Sequence, residues 1–93
     1  MKVKEVKLSK RALKVLKRAP SYLAESLYEW MNSVKENGLS ETRKIKGYHD
    51  EPLQGELWGL RSIRLNKGWR AYYKVVSDEV VFILVERIDK HEY

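Results

Sequence analysis

The chain has 93 residues, 43% hydrophobic and 11% aromatic, and its 19 basic and 13 acidic groups leave a formal net charge of +6. That length fits one domain spanning 1–93, burying roughly 60–65% of its unfolded surface, room for one helical layer on one sheet. The absence of cysteine excludes disulfides and thiolate metal sites, and two histidines more than forty positions apart lack the spacing of a zinc motif. The longest apolar run, 80–85, is too short to span a bilayer and no hydrophobic leader is visible, so a soluble, cytoplasmic protein without membrane contact is expected.

Residues 3–8 alternate in polarity, with Lys4, Val6 and Leu8 on one side and Val3, Glu5 and Lys7 on the other, as in a short edge strand guarded by lysines. Ser9 then caps a helix over 10–18, in which Ala12, Leu13 and Leu16 are the apolar positions and Lys10, Lys14 and Lys17 line the opposite side; Pro20 ends it. The first twenty residues carry +7 and the remainder −1. This helix therefore either offers a basic face to a polyanion or holds its lysine stems over apolar surface. Ser21 caps a second helix, where Leu23, Leu27, Trp30 and Val34 recur every three or four residues, widened by Ala24 and Met31, until Asn37-Gly38 stops it.

Residues 39–57 show no long period: 40–45 suit a helical turn, and Pro52 and Gly55 interrupt anything longer. Three runs follow, 58–65, 69–76 and 80–88, joined by Asn66-Lys67-Gly68 and Ser77-Asp78-Glu79, and they read as an antiparallel meander. The expected architecture is α+β: an N-terminal strand, then a two-helix antiparallel hairpin packed on one face of a small antiparallel sheet, in the order β-α-α-β-β-β.

Turns of three residues set a register that burial can check, because a slip of one residue reverses every side chain. Leu65 then opposes Trp69, Ile63 opposes Ala71, Ala71 opposes Val85, Tyr73 opposes Ile83 and Val75 opposes Val81, which makes one face apolar and turns it to the helices. The reverse face collects Ser62, Arg64, Arg70, Tyr72, Lys74, Leu84 and Glu86, with Arg64 directly across from Arg70. Like charges opposed on a sheet are destabilising unless something negative sits between them, and Glu86, next along the row, is placed to neutralise one of the two and leave the second unpaired.

No nucleophile elbow, P-loop, dinucleotide fingerprint or carboxylate cluster for a divalent metal is present, so no metal or cofactor is expected. What remains is a cationic surface with tyrosines and histidines beside it, suited to binding a phosphodiester and moving protons around it. RNA supplies its own nucleophile: attack by the 2′-hydroxyl needs a base, an acid for the leaving 5′-oxygen and cations for the charge on phosphorus. The polar end 86–93 holds Lys90, His91 and Tyr93 as proton donors and acceptors, or is a frayed tail. In the long loop Tyr48 and His49 either overhang the same face, with Tyr48 as a stacking platform for a base, or cover the rim of the core.

The strings Leu60-Arg61-Ser62-Ile63-Arg64-Leu65, Gly68-Trp69-Arg70-Ala71-Tyr72-Tyr73-Lys74-Val75 and Val80-Val81-Phe82-Ile83-Leu84-Val85 resemble the RelE/ParE toxin superfamily, over essentially the whole chain. The ending Ile88-Asp89-Lys90-His91-Glu92-Tyr93 most resembles the RelE- and HigB-type messenger-RNA interferases. The resemblance implies a RelE-like fold and a type II toxin that cleaves mRNA on the ribosome without metal, inhibits translation, and is held inactive by a cognate antitoxin. Such a complex often binds operator DNA as well. It implies further that Arg70 binds the scissile phosphate, that Arg64 is the basic residue of the preceding strand, with Arg61 in its place if the turn carries a bulge, and that Lys90, His91 and Tyr93 act as acid, base or charge stabiliser. Lys67, Tyr72, Lys74, Tyr48, His49 and the helix lysines 10, 14 and 17 are then RNA-contacting candidates. Two alternatives share these residues: a non-catalytic ParE-like toxin that binds DNA gyrase, and a catalytically inactive nucleic-acid-binding homologue.

Overall fold

The computed structural model describes residues 5–77 and 79–87, with Lys67 and the last five residues of the final strand described by backbone alone. The chain runs through β1 (Glu5–Leu8), α1 (Lys10–Arg18), α2 (Ser21–Asn37), α3 (Leu39–Arg43), β2 (Glu51–Pro52), β3 (Arg61–Leu65), β4 (Trp69–Val76) and β5 (Glu79–Arg87). The five strands form one sheet in the order β1-β5-β4-β3-β2. The α+β order expected from the sequence is thus present, with two differences in the sheet. First, β1 pairs with β5 in parallel, Val6 opposite Val80, which is possible because the whole helical segment intervenes as a crossover. Second, the long loop contributes the two-residue strand β2, Glu51 opposite Ser62; Pro52 is tolerated there because the strand lies at the sheet edge.

Ser9 caps α1 by accepting from the Ala12 N–H at 3.0 Å. The buried stripe of α1 is Ala12 with Val15, Leu16 and Ala19 packed around it, whereas Leu13 is 43% exposed. Leu13 stands one residue on from Ala12, about 100° around the helix, and so falls beside the stripe rather than in it. Ser21 is the first residue of α2 and makes no side-chain cap; the Leu23 N–H reaches the Pro20 carbonyl at 3.0 Å instead. Leu23, Leu27, Trp30 and Val34 are buried as their spacing predicts. Gly38, at φ +89°, sits between α2 and α3, and its N–H bonds to the Val34 carbonyl at 2.9 Å.

The expected strand over 58–65 begins only at Arg61, because a 3₁₀ turn at Gly55–Leu57 and Gly59 at φ +97° come first. Trp58 is left 78% exposed. The meander register holds at Leu65–Trp69, Ile63–Ala71, Arg64–Arg70 and Ala71–Val85. It fails beyond a bulge at Tyr72/Tyr73: Tyr72 opposes Leu84 but Tyr73 opposes Phe82, and Val75 opposes Val80, in place of Ile83 and Val81. One extra residue, Ile83, exchanges the faces of the strand on either side of it. Phe82 and Val80 thereby enter the core. Phe82 completes an aromatic cluster, 5.2 Å edge-on to Trp30 and 5.7 Å from Tyr73, with Trp30 5.1 Å from Tyr73. Each such pairing contributes about 0.5–1.5 kcal/mol beyond the area buried.

Candidate functional site

Ile63, Leu65, Ala71 and Tyr73 point into the core shared with α1 and α2, so strand alternation turns Arg64 and Arg70 to the other face of the sheet. The two arginines are direct cross-strand partners, which places their Cα atoms roughly 5 Å apart. Arg64 is exposed and Arg70 half-buried. Tyr72, two residues along, holds Arg70 in place: Arg70 Nη1 donates to the Tyr72 hydroxyl at 3.3 Å, and the guanidinium carbon lies 5.9 Å from the ring centroid. In this arrangement Tyr72 is only 5% exposed, and its cross-strand partner Ser62 is buried as well. Lys74 is exposed further along the strand. By backbone register Glu86 stands opposite Arg70 on β5; its side chain lies outside the described residues.

Beside Arg64 opens a cleft of 450 Å³, bordered by Ser26 and Glu29 of α2, Ile45, Gly47 and Tyr48 of the long loop, and Arg64, Leu65 and Asn66 where β3 ends. Tyr48 belongs to a 3₁₀ turn, Lys46–Tyr48, and packs with one side against the core. Burial, assisted by the charge of Glu29, pushes its phenol above the ordinary value. Tyr48 thus covers the rim of the core, one of the two readings raised by the sequence, and also borders the cleft. His49 follows with φ +46° and is exposed.

The same loop carries a residue that the sequence did not single out as an anchor. The Asp50 carboxylate is fully buried; Arg61 Nε donates to its Oδ1 at 2.6 Å, and the Tyr73 hydroxyl donates to its Oδ2 at 2.5 Å. Arg43 Nε in turn donates to the Tyr73 oxygen at 3.3 Å. Burial foremost, and then the bond to Asp50, drive the Tyr73 phenol up to about 12. For Arg61 burial works against the charge, but the hydrogen bond and charge of Asp50 outweigh it and hold the guanidinium above its ordinary value. Arg61 is therefore committed to the loop, on the face opposite Arg64 and Arg70. A cleft of 320 Å³ adjoins this cluster, with Pro52, Leu53, Trp58 and Val75 among its walls. No period or motif signals such a cluster; an acid between His49 and Glu51 in a loop reads as solvated.

Lys10, Lys14 and Lys17 are exposed on α1, in the helical layer, and are not brought to the arginine face. The side chain of Lys67 and the whole of Lys90, His91 and Tyr93 lie outside the described residues. Among the described residues no group of three acidic, histidine or cysteine side chains is placed to hold a metal ion, and no helix is long and apolar enough to cross a membrane.

A family model described as "ParE toxin of type II toxin-antitoxin system, parDE" matches residues 6–92. No curated protein matches the chain. Among solved structures, YafQ from E. coli strain BL21(DE3) superposes with a TM-score of 0.71 at 23% identity, covering 88% of this chain and 90% of its own. RelE from the archaeal RelE-RelB complex of Pyrococcus horikoshii gives 0.72 at 18% identity over 97% and 99% of the two chains. YoeB from Staphylococcus aureus, solved as a dimer, gives 0.69 at 18% identity over 96% and 100%. These likenesses establish the fold. YafQ and YoeB are also known in complexes with DinJ and YefM.

Proposed function

The chain belongs to the ParE toxin family of type II toxin-antitoxin systems, within the RelE/ParE superfamily, and on that premise we propose that it is a metal-independent endoribonuclease that cuts mRNA on the ribosome. The observation that carries this reading is the directly opposed pair Arg64 and Arg70 on the face away from the helices, next to the cleft bordered by Tyr48. Two cations held side by side by the strand register favour an anion between them, and Tyr72 fixes Arg70 before any substrate arrives. In the reaction the 2′-oxygen attacks phosphorus and the bond from phosphorus to the 5′-oxygen breaks. One group takes the 2′-hydroxyl proton, another protonates the leaving oxygen, and the arginines meet the charge that builds on the phosphoryl oxygens. Lys90, His91 and Tyr93 are the groups proposed for the proton transfers. A cognate antitoxin is the proposed partner, by analogy with the RelE-RelB, DinJ-YafQ and YoeB-YefM complexes, and operator DNA would be reached through that complex.

The test is cleavage in a translating extract by the unaltered chain and by Arg70→Ala and His91→Ala. Removing a preorganised charge from the transition state costs about 10²–10³-fold in rate, near 3 kcal/mol, and that is the loss expected for Arg70→Ala. Full activity in both variants would remove the proposed site. A second reading is favoured by the family match itself, which is to ParE: a toxin that binds DNA gyrase and does no RNA chemistry. Inhibition of supercoiling with transcripts left intact would select it.

A further inference from the structure

We propose that the 450 Å³ cleft between α2 and the end of β3 is a pocket for a single guanine base, with Glu29 as the group that reads it. The proposal takes its purpose from the ribonuclease reading and its chemistry from the cleft alone. The volume falls within the roughly 300–1,000 Å³ typical of small-ligand sites. Tyr48 supplies a half-buried aromatic wall, and Ile45 and Leu65 are apolar neighbours. Arg64 borders the cleft and is also half of the opposed arginine pair, so one side chain belongs to both the cleft and the proposed phosphate site.

Glu29 decides which base. A carboxylate on the wall of a cleft whose neighbouring surface is cationic repels a phosphate, so it has no use in holding the backbone; it accepts hydrogen bonds. Guanine alone presents two donors side by side on its Watson–Crick edge, N1–H and the N2 amino group, and a carboxylate takes both. Adenine and cytosine offer one amino group beside a bare acceptor, and uracil one N–H between two carbonyls. Asn66 adds an amide donor for the guanine oxygen, and Tyr48 offers its ring for stacking.

The full chain, titrated with guanosine 3′-monophosphate and with the adenosine, cytidine and uridine equivalents, and followed by backbone amide shifts, tests this without any cleavage. Guanosine is expected to shift Ser26, Gly47 and Asn66 and to bind about tenfold tighter than the other three, and Glu29→Gln, an exposed helical position, is expected to erase that difference. Equal affinities, no binding, shifts elsewhere on the surface, or a preference surviving Glu29→Gln would each overturn the proposal. Mapping breaks in a translating extract separates it from the reading above. Guanosine-selective binding without cleavage retains the pocket and rejects the ribonuclease. Cleavage with no guanosine at a fixed position beside the break does the reverse.

Discussion

Asp50 shows how much one side chain holds here. Its carboxylate is sealed from water and tied to Arg61 and Tyr73, residues on two different strands, so it fastens the long loop across β3 and β4. A buried charge is tolerated only when paired and hydrogen-bonded, and removing one partner leaves the other uncompensated. Asp50→Asn keeps the shape and deletes the charge, and because Arg61 retains some contact with water the expected loss is at the lower end of the usual range, about 3 kcal/mol. In a domain of this size that lowers the Tm by more than about 10 °C. Thermal unfolding followed by circular dichroism checks it, and an unchanged Tm would mean that the loop is held by something else. The loop also carries Tyr48, so this anchor is where local stability meets the candidate site.

Helix ends and strand pairing act at the next scale. Gly38 closes α2 and opens α3 at φ +89°, a conformation that a side chain strains. Gly47, by contrast, has open space where a Cβ would go and no left-handed backbone. Gly38→Ala is expected to lower stability by about 1 kcal/mol or more, and Gly47→Ala to change it little, both read as the urea midpoint at constant m-value. Equal shifts in the two variants would contradict the capping role. The bulge at Ile83 is the corresponding device in the sheet. Between the turn and the bulge the pairing follows from Glu79 opposite Val76, which turns Phe82 rather than Ile83 to Trp30 and Tyr73; beyond the bulge Leu84 opposes Tyr72.

For the molecule as a whole, the buried Tyr73 phenol links stability to pH. Its folded value of about 12 lies above the ordinary 10, so the folded state keeps a proton that the unfolded chain gives up first. The stabilisation is complete below about pH 10 and declines as pH rises toward 12, a loss on the order of 2 kcal/mol. Denaturation midpoints of the unaltered chain should therefore fall more steeply across that interval than those of Tyr73→Phe. Parallel curves would show that Tyr73 does not titrate on unfolding.

Much of this architecture is written in short-range pattern. The four-three-four spacing of Leu23, Leu27, Trp30 and Val34 specifies a buried helix face, and strand alternation plus a three-residue turn puts Arg64 across from Arg70, because period and turn length leave no other register. The features that needed the folded chain join residues far apart in sequence: the parallel pairing of β1 with β5, the Asp50 cluster linking a loop to two strands, and the meeting of Glu29, Tyr48 and Asn66 around one cleft. Local periodicity reports which side of its own element a residue occupies. Which other element that side meets is decided by how helices and sheet pack, and by a single unpaired residue in β5 that no turn or motif announces.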